Sequence, residues 1–184
     1  ALVGVLAGSV LITRHLALRG RAEIALEAYF RDLKTVSALV GGQPARLLVD
    51  TGGGATLVTP DFAARLGCKP QGIDIGRRMN GDAVSCQRCP AQLLQAGSFG
   101  TSISPLAVFD VNALLPGELP RLDGVIALDA FAGRVVRIDW AAGRIEVAAE
   151  TADPPLAVRW ATGDSGRFLS AFARVDGPPG GLWF

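Results

Sequence analysis

The stretch Leu47-Leu48-Val49-Asp50-Thr51-Gly52 decides how this chain is read. Three aliphatic residues deliver a single carboxylate, and a hydroxyl and a glycine follow at once. Asp50 falls at the end of a buried strand, where a carboxylate is costly unless it is hydrogen-bonded or put to use. Gly52 lets the backbone fold back so that its amides can point at that carboxylate, and Gly53 and Gly54 extend the same freedom. Apolar alternation resumes through Thr56 and Val58, which predicts a second strand leaving the turn. Taken alone, the tripeptide also suits an ordinary strand ending in an Asp-Gly-type turn.

A second segment narrows the choice. Leu122-Asp123-Gly124-Val125-Ile126-Ala127-Leu128-Asp129-Ala130-Phe131 reads as a turn, a hydrophobic strand and a short helix start, with Asp129 as the N-cap. Val135 to Trp140 and Gly143 to Val147 then read as a hairpin with period-two alternation. On these motifs, over roughly residues 33 to 150, the chain resembles the retropepsin-like aspartic proteases, in particular bacterial aspartyl-protease domains. Their lobes carry a hydrophobic-hydrophobic-Asp-Thr-Gly strand end and, most of a lobe later, a hydrophobic-hydrophobic-Gly pattern. Val125 to Leu128 matches the latter, with Ala127 where the family usually has glycine.

The resemblance implies a role for each residue of the turn. Asp50 would be one catalytic carboxylate, and Gly52 would offer it backbone amides. Thr51 would hydrogen-bond across to the partner lobe, and Thr56 stands where Ser or Thr is usual. Gly53 occupies a position where Ala or Ser is common, and a lost hydroxyl there would leave the outer oxygen of Asp50 less supported. Asn80-Gly81-Asp82 is a strong hairpin-turn signal within Arg77 to Cys89. In the resembled family the hairpin at this position is the flap that closes over the peptide; an exposed hairpin with no ligand has the same sequence signature.

Composition agrees with a folded domain and excludes other chemistries. The 184 residues carry a net charge of +1 and are 49% hydrophobic, so one to two domains with a core are expected. No charge excess points to nucleic acid. A single histidine, His15, leaves no Ser-His-Asp or Cys-His site, and the glycine run lacks the lysine of a phosphate loop. Cys86-Gln87-Arg88-Cys89 has the spacing of a metal knuckle or a redox pair, but a structural zinc site needs four ligands. A short disulfide across Cys86 and Cys89, or two ordinary thiols, are the remaining readings. No metal and no cofactor are expected.

Residues Ala1 to Ile12 are almost wholly apolar and are followed by Arg14, Arg19 and Arg21. Twelve residues are too few to span a bilayer but suit a signal-peptide core or the remnant of a membrane anchor. A buried N-terminal helix is the competing reading. Ala22 to Phe30 is expected to be helical. Strands are expected at Thr35 to Val40, Arg46 to Val49, Gln92 to Leu94 and Ser104 to Val111. Thr59 and Pro60 start a helix that stops at Gly67.

The tail repeats the approach to Asp50. Ala38 to Val49 laid over Ala173 to Phe184 gives five identities in twelve positions, at an offset of about one lobe. Thr151-Ala152-Asp153-Pro154-Pro155 reads as a boundary between the two. The alternative is a chance match between two strand-turn-strand segments.

The fold class is therefore mostly β: a retropepsin-like, closed β-barrel lobe with one or two short helices, then the truncated start of a second, similar lobe. The expected divisions are residues 1–21 (apolar segment), 22–150 (lobe) and 151–184 (linker and first strands of the second lobe). The resemblance implies an aspartic endopeptidase acting on peptide or protein substrates, its second carboxylate coming from another lobe or a homodimer partner. A piece supplying Asp50 alone is expected to be inactive. A non-catalytic retropepsin-like binding module is the second reading, and the apolar leader implies export to the periplasm or exterior, or membrane anchoring.

Overall fold

Ala22 to Phe30 forms strands instead of the expected helix. β1 (Ala22–Ala25) and β2 (Glu27–Phe30) are separated by Leu26, whose N–H donates to the Gly143 carbonyl at 2.8 Å. In β1 only Ile24 is buried, and it lies opposite Ile145 across the sheet. Short alternating segments take their conformation from the partner strand they meet, which here overrides a mixed local propensity. The computed structural model describes residues 21–77 and 82–149, with the backbone of strands at 158–161 and 170–173.

The chain continues through β3 (Leu33–Val40), β4 (Gln43–Asp50), β5 (Leu57–Val58), α1 (Pro60–Arg65), β6 (Gln71–Arg77) and β7 (Ala83–Cys89). It goes on through β8 (Gln92–Ala96), β9 (Phe99–Ile103), β10 (Leu106–Val108) and a 3-10 turn at Val111–Leu114. Last come β11 (Gly124–Ala127), a second 3-10 turn at Leu128–Phe131, β12 (Arg134–Asp139), β13 (Arg144–Ala149), β14 (Val158–Ala161) and β15 (Ser170–Ala173). The expected single strand over Ser104 to Val111 shrinks to β10, and β9 forms ahead of it. Pro105, which has no N–H to give a ladder, separates the two.

The main sheet runs in the order β6-β7-β10-β5-β11-β4-β3-β8-β9, with β2 added against β3, and curls into a half-barrel. A smaller sheet, β1-β13-β12, lies alongside in the topology, and β14 pairs with β15. β4 and β11 pair in parallel with Leu47 opposite Gly124 and Asp50 opposite Ala127. Both strands are covered on both faces. Leu47, Val49 and Ile126 join the main core with Phe62, Leu94 and Ile145, whereas Leu48 and Val125 join a second cluster with Val111 and Leu122. Strands buried on both sides read as unbroken apolar runs, which is why Leu47-Leu48-Val49 and Val125-Ile126-Ala127 show no alternation.

Gly124 makes this arrangement possible. A Cβ at residue 124 would run into the Leu57 carbonyl oxygen and sit 2.9 Å from Val58 Cα, so only glycine lets β11 and β5 approach so closely. Thr59 caps α1, its Oγ1 accepting the Phe62 N–H at 3.3 Å, with Pro60 at the first helical position. Gly67, at φ +66°, ends the helix in the left-handed region.

A disulfide joins Cys68, just past α1, to Cys89 at the end of β7, with Cα atoms 5.9 Å apart. Cys86 is the free thiol. Closure of Cys86 onto Cys89 is excluded by strand geometry. Residues three apart on a strand point to opposite faces, about 10 Å apart along it, well beyond disulfide reach.

The apolar segment over residues 1–20, the tip residues Asn80 and Gly81, the linker over 151–157 and the repeat segment beyond Ala173 lie outside the described residues. No helix among the described residues is long and apolar enough to cross a membrane.

Candidate functional site

Asp50 is the last residue of β4 and is partly exposed, while Thr51 and Gly52 beside it are exposed. The Gly52 N–H donates to Asp50 Oδ1 at 2.9 Å, and the Gly53 N–H donates to the Asp50 carbonyl at 3.3 Å. A two-sided apolar strand therefore carries the carboxylate outward and a tight turn holds one of its oxygens. The second oxygen, Oδ2, faces the Cα of Gly53: a Cβ built there would lie 3.1 Å from it.

Thr56 sits behind this turn and is 1% exposed. Its Oγ1 donates to Asp129 Oδ1 at 2.6 Å and accepts the Ala127 N–H at 3.1 Å. Its own N–H is shared between the two Asp129 carboxylate oxygens at 2.9 and 3.0 Å. Three donated hydrogen bonds thus converge on Asp129 from one residue, and the hydroxyl closes the circuit back to Ala127, the register partner of Asp50. Asp129 does not cap the following turn: the N-cap position is Ala127, and the Asp129 side chain is turned to Thr56 instead. A carboxylate satisfied by charge-assisted bonds from a buried residue is held more firmly than one left to an exposed cap.

Asp123 ties the opposite ends of the same strands together. Its Oδ2 accepts the Arg46 N–H at 2.8 Å and its Oδ1 meets the Arg65 guanidinium at 2.5 Å, while its N–H donates to the Arg46 carbonyl at 2.9 Å. Arg65 lies over the Phe62 ring at 4.5 Å, and the Thr59 N–H donates to the Asp123 carbonyl. One aspartate therefore fixes the middle of β4, the start of β11 and both ends of α1. Neither Asp123 nor Asp129 stood out in the sequence as a holding group. The available signal was position: each flanks the apolar run Gly124 to Ala127, where a carboxylate needs donors.

β6 and β7 form the hairpin that the Asn80-Gly81-Asp82 signal predicts on either side of its tip, with Ile75 opposite Ser85 and Arg77 opposite Ala83. The ladder shifts register between Gln71 and Asp74. Asp82 is exposed at the base of the tip. An open depression is lined by Asp82, Ala83, Val84, Ser85 and Phe109. β7 joins the sheet through β10, three strands from β4, so the hairpin and the Asp50 turn belong to one continuous sheet. The Cys86 thiol, whose Sγ lies 3.6 Å from the Asp74 carbonyl, is raised above its ordinary pKa by burial and by the Asp74 charge, with Arg88 opposing. Among the described residues no cluster of His, Cys, Asp or Glu is arranged to hold a metal ion.

Residues 36–130 match the family model described as aspartyl protease, and the chain belongs to that family. Among solved structures it is similar to a retropepsin-like aspartic protease from Rickettsia conorii, at 21% identity and a TM-score of 0.42, over 70% of this chain and 89% of that one. It is also similar to EIAV protease complexed with the inhibitor HBY-793, at 14% identity and a TM-score of 0.38, over 56% of this chain and 88% of that one. No curated protein sequence matches it.

Proposed function

We propose that this member of the aspartyl protease family is an aspartic endopeptidase in which Asp50 supplies one of two catalytic carboxylates. The observation that carries the reading is the placement of Asp50. It stands at the end of the doubly buried pair β4–β11, part-exposed, with Oδ1 held by the Gly52 N–H and Thr51 exposed beside it. Two such carboxylates brought face to face cannot both ionise and share one proton, the general pattern of aspartic-protease dyads. The ionised member takes a proton from a water that attacks the scissile carbonyl. The protonated member donates to the carbonyl oxygen as it becomes tetrahedral.

The second carboxylate comes from a second lobe of the same protein or from a second copy of this one. Similarity between Ala38–Val49 and the tail supports the former, with residues 22–150 as the lobe and 151–184 as linker and first strands of the next. Thr51 of one turn would hydrogen-bond to its counterpart, and the β6–β7 hairpin, with Asn80, Gly81 and Asp82 at its tip, would act as the flap over the peptide. The disulfide between Cys68 and Cys89 supports an oxidising compartment, in keeping with export or anchoring through the apolar N-terminal segment.

The test is cleavage of a peptide library at acid pH by the full-length protein, with and without a pepstatin-type inhibitor, beside Asp50→Asn. Inhibited cleavage that disappears in Asp50→Asn is expected. Cleavage unchanged in that variant refutes the mechanism, and binding of peptides without any cleavage establishes a non-catalytic module. Sedimentation of the active species separates one two-lobed chain from a homodimer.

A further inference from the structure

Gly53 and Ala127 meet beside the Asp50 carboxylate. A Cβ added at Gly53 would lie 3.1 Å from Asp50 Oδ2, 3.2 Å from Asp50 Cγ and 3.3 Å from the Ala127 Cβ. Carbon atoms in favourable contact stand about 3.5–4.0 Å apart, so a methyl at residue 53 requires one of these neighbours to give way by a few tenths of an ångström. Gly53 does not adopt a left-handed φ, so the constraint on this position is volume rather than backbone conformation.

We propose that Gly53 and Ala127 are a matched pair of positioning residues: the Ala127 methyl takes the room beside the carboxylate, and glycine at 53 leaves Asp50 Oδ2 where it stands. Both positions depart from the pattern of the resembled family, and the contact explains the departures together. Ala127 cannot yield. It is 1% exposed, it is paired with Asp50 across the β4–β11 ladder, and its N–H is held by Thr56 Oγ1, itself clasped by Asp129. The side chain of Asp50 can yield, by rotating, but doing so breaks the 2.9 Å bond from the Gly52 N–H to Oδ1. A methyl at residue 53 therefore displaces the carboxylate, and removing the Ala127 methyl gives the space back. A side chain at position 53 is thus accommodated only if the Asp50 carboxylate or the Ala127 methyl gives way by a few tenths of an ångström.

This inference rests on Asp50 being catalytic, and its test separates the two. Gly53→Ala, Ala127→Gly and the double variant are made in the full-length protein. Gly53→Ala is expected to lower kcat about tenfold with KM within about twofold, since misplacement of a reacting group by a few tenths of an ångström acts on the chemical step. The double variant is expected to recover most of that loss. The Asp50 carboxyl 13C resonance is expected to move in Gly53→Ala and return in the double variant, which reads the carboxylate without requiring turnover. An Asp50 resonance unmoved by Gly53→Ala, or a double variant no closer to the parent than Gly53→Ala, overturns the pairing whatever the activity. A parent protein that cleaves nothing while the resonance moves and returns upholds the pairing and refutes the peptidase reading instead.

Discussion

Two buried threonines in this lobe make the same substitution predict opposite outcomes. Thr56 and Thr35 are each 1% exposed. The Thr56 hydroxyl donates to Asp129 and accepts from the Ala127 amide, whereas Thr35 Oγ1 has no hydrogen-bond partner among the described residues. Threonine to valine keeps the shape and replaces hydroxyl by methyl. At residue 56 it strands a buried amide, at about 1–3 kcal/mol, and removes a hydrogen bond to a carboxylate, at about 1.5–3 kcal/mol. The added methyl returns about 0.8 kcal/mol of burial. The net loss for Thr56→Val is therefore about 3 kcal/mol, a large part of the roughly 5–15 kcal/mol that holds a domain together. At residue 35 nothing is stranded and an unpaired hydroxyl leaves the core, so Thr35→Val is expected to be neutral or stabilising by up to about 1 kcal/mol. Equilibrium urea unfolding under non-reducing conditions, followed by tryptophan fluorescence, measures both. With a urea slope of about 1–3 kcal/mol/M, Thr56→Val lowers the midpoint by more than about 1 M. Thr56→Ser, which keeps the hydroxyl and loses one methyl, falls between the parent and Thr56→Val. Thr56→Val as stable as Thr35→Val refutes the Thr56–Asp129 clasp.

Gly124→Ala is expected to cost more than about 2 kcal/mol, because its methyl meets the backbone of β5 rather than a flexible side chain; unfolding midpoints check it. Cys68→Ser with Cys89→Ser opens a loop closed at a sequence separation of 21 and is expected to cost about 3 kcal/mol, read as the difference between parent and double variant in the same urea titration. Cys86 in the folded protein is expected to react with iodoacetamide more slowly than in denaturant near neutral to mildly alkaline pH, because burial and Asp74 keep it protonated. The sign follows for stability. A raised folded-state thiol contributes stability that is whole below its unfolded pKa and is lost as pH rises through the higher folded value, so Cys86→Ser flattens the alkaline limb of a stability-against-pH curve.

The parts of this fold that were legible in the sequence are those whose pattern is set by burial alone. β4 and β11 are covered on both faces, so their apolar runs stand out, and Thr59, Pro60 and Gly67 locate α1. The strands over Ala22 to Phe30 are illegible because only Ile24 among β1 residues is fully buried, with Ala22 partly buried beside it, too little for either a helical or a strand period to show. Pairing with β13, more than a hundred residues away, supplies the missing information, and no local window contains it. The cysteines failed for the same reason. The nearby Cys86 and Cys89 attract attention, but the side of the strand decides, and that places Cys89 toward Cys68 in the core.

The site divides along the same line. Asp50, Thr51 and Gly52 announce themselves because they are contiguous, while what holds them is dispersed. Thr56 accepts from residue 127 and donates to residue 129, and Asp123 gathers Arg46 and Arg65 from opposite sides. A sequence shows these only as single polar residues bordering apolar runs, each of which has several bland explanations. The placement of Asp50 depends on them all the same. The strand end that presents the carboxylate is fixed through Ala127, Ala127 is fixed through Thr56, and Thr56 is fixed by the part-buried carboxylate of Asp129. The Asp50 carboxylate is thus positioned by hydrogen bonds two and three contacts away, where substitutions are expected to alter the proposed chemistry without touching substrate.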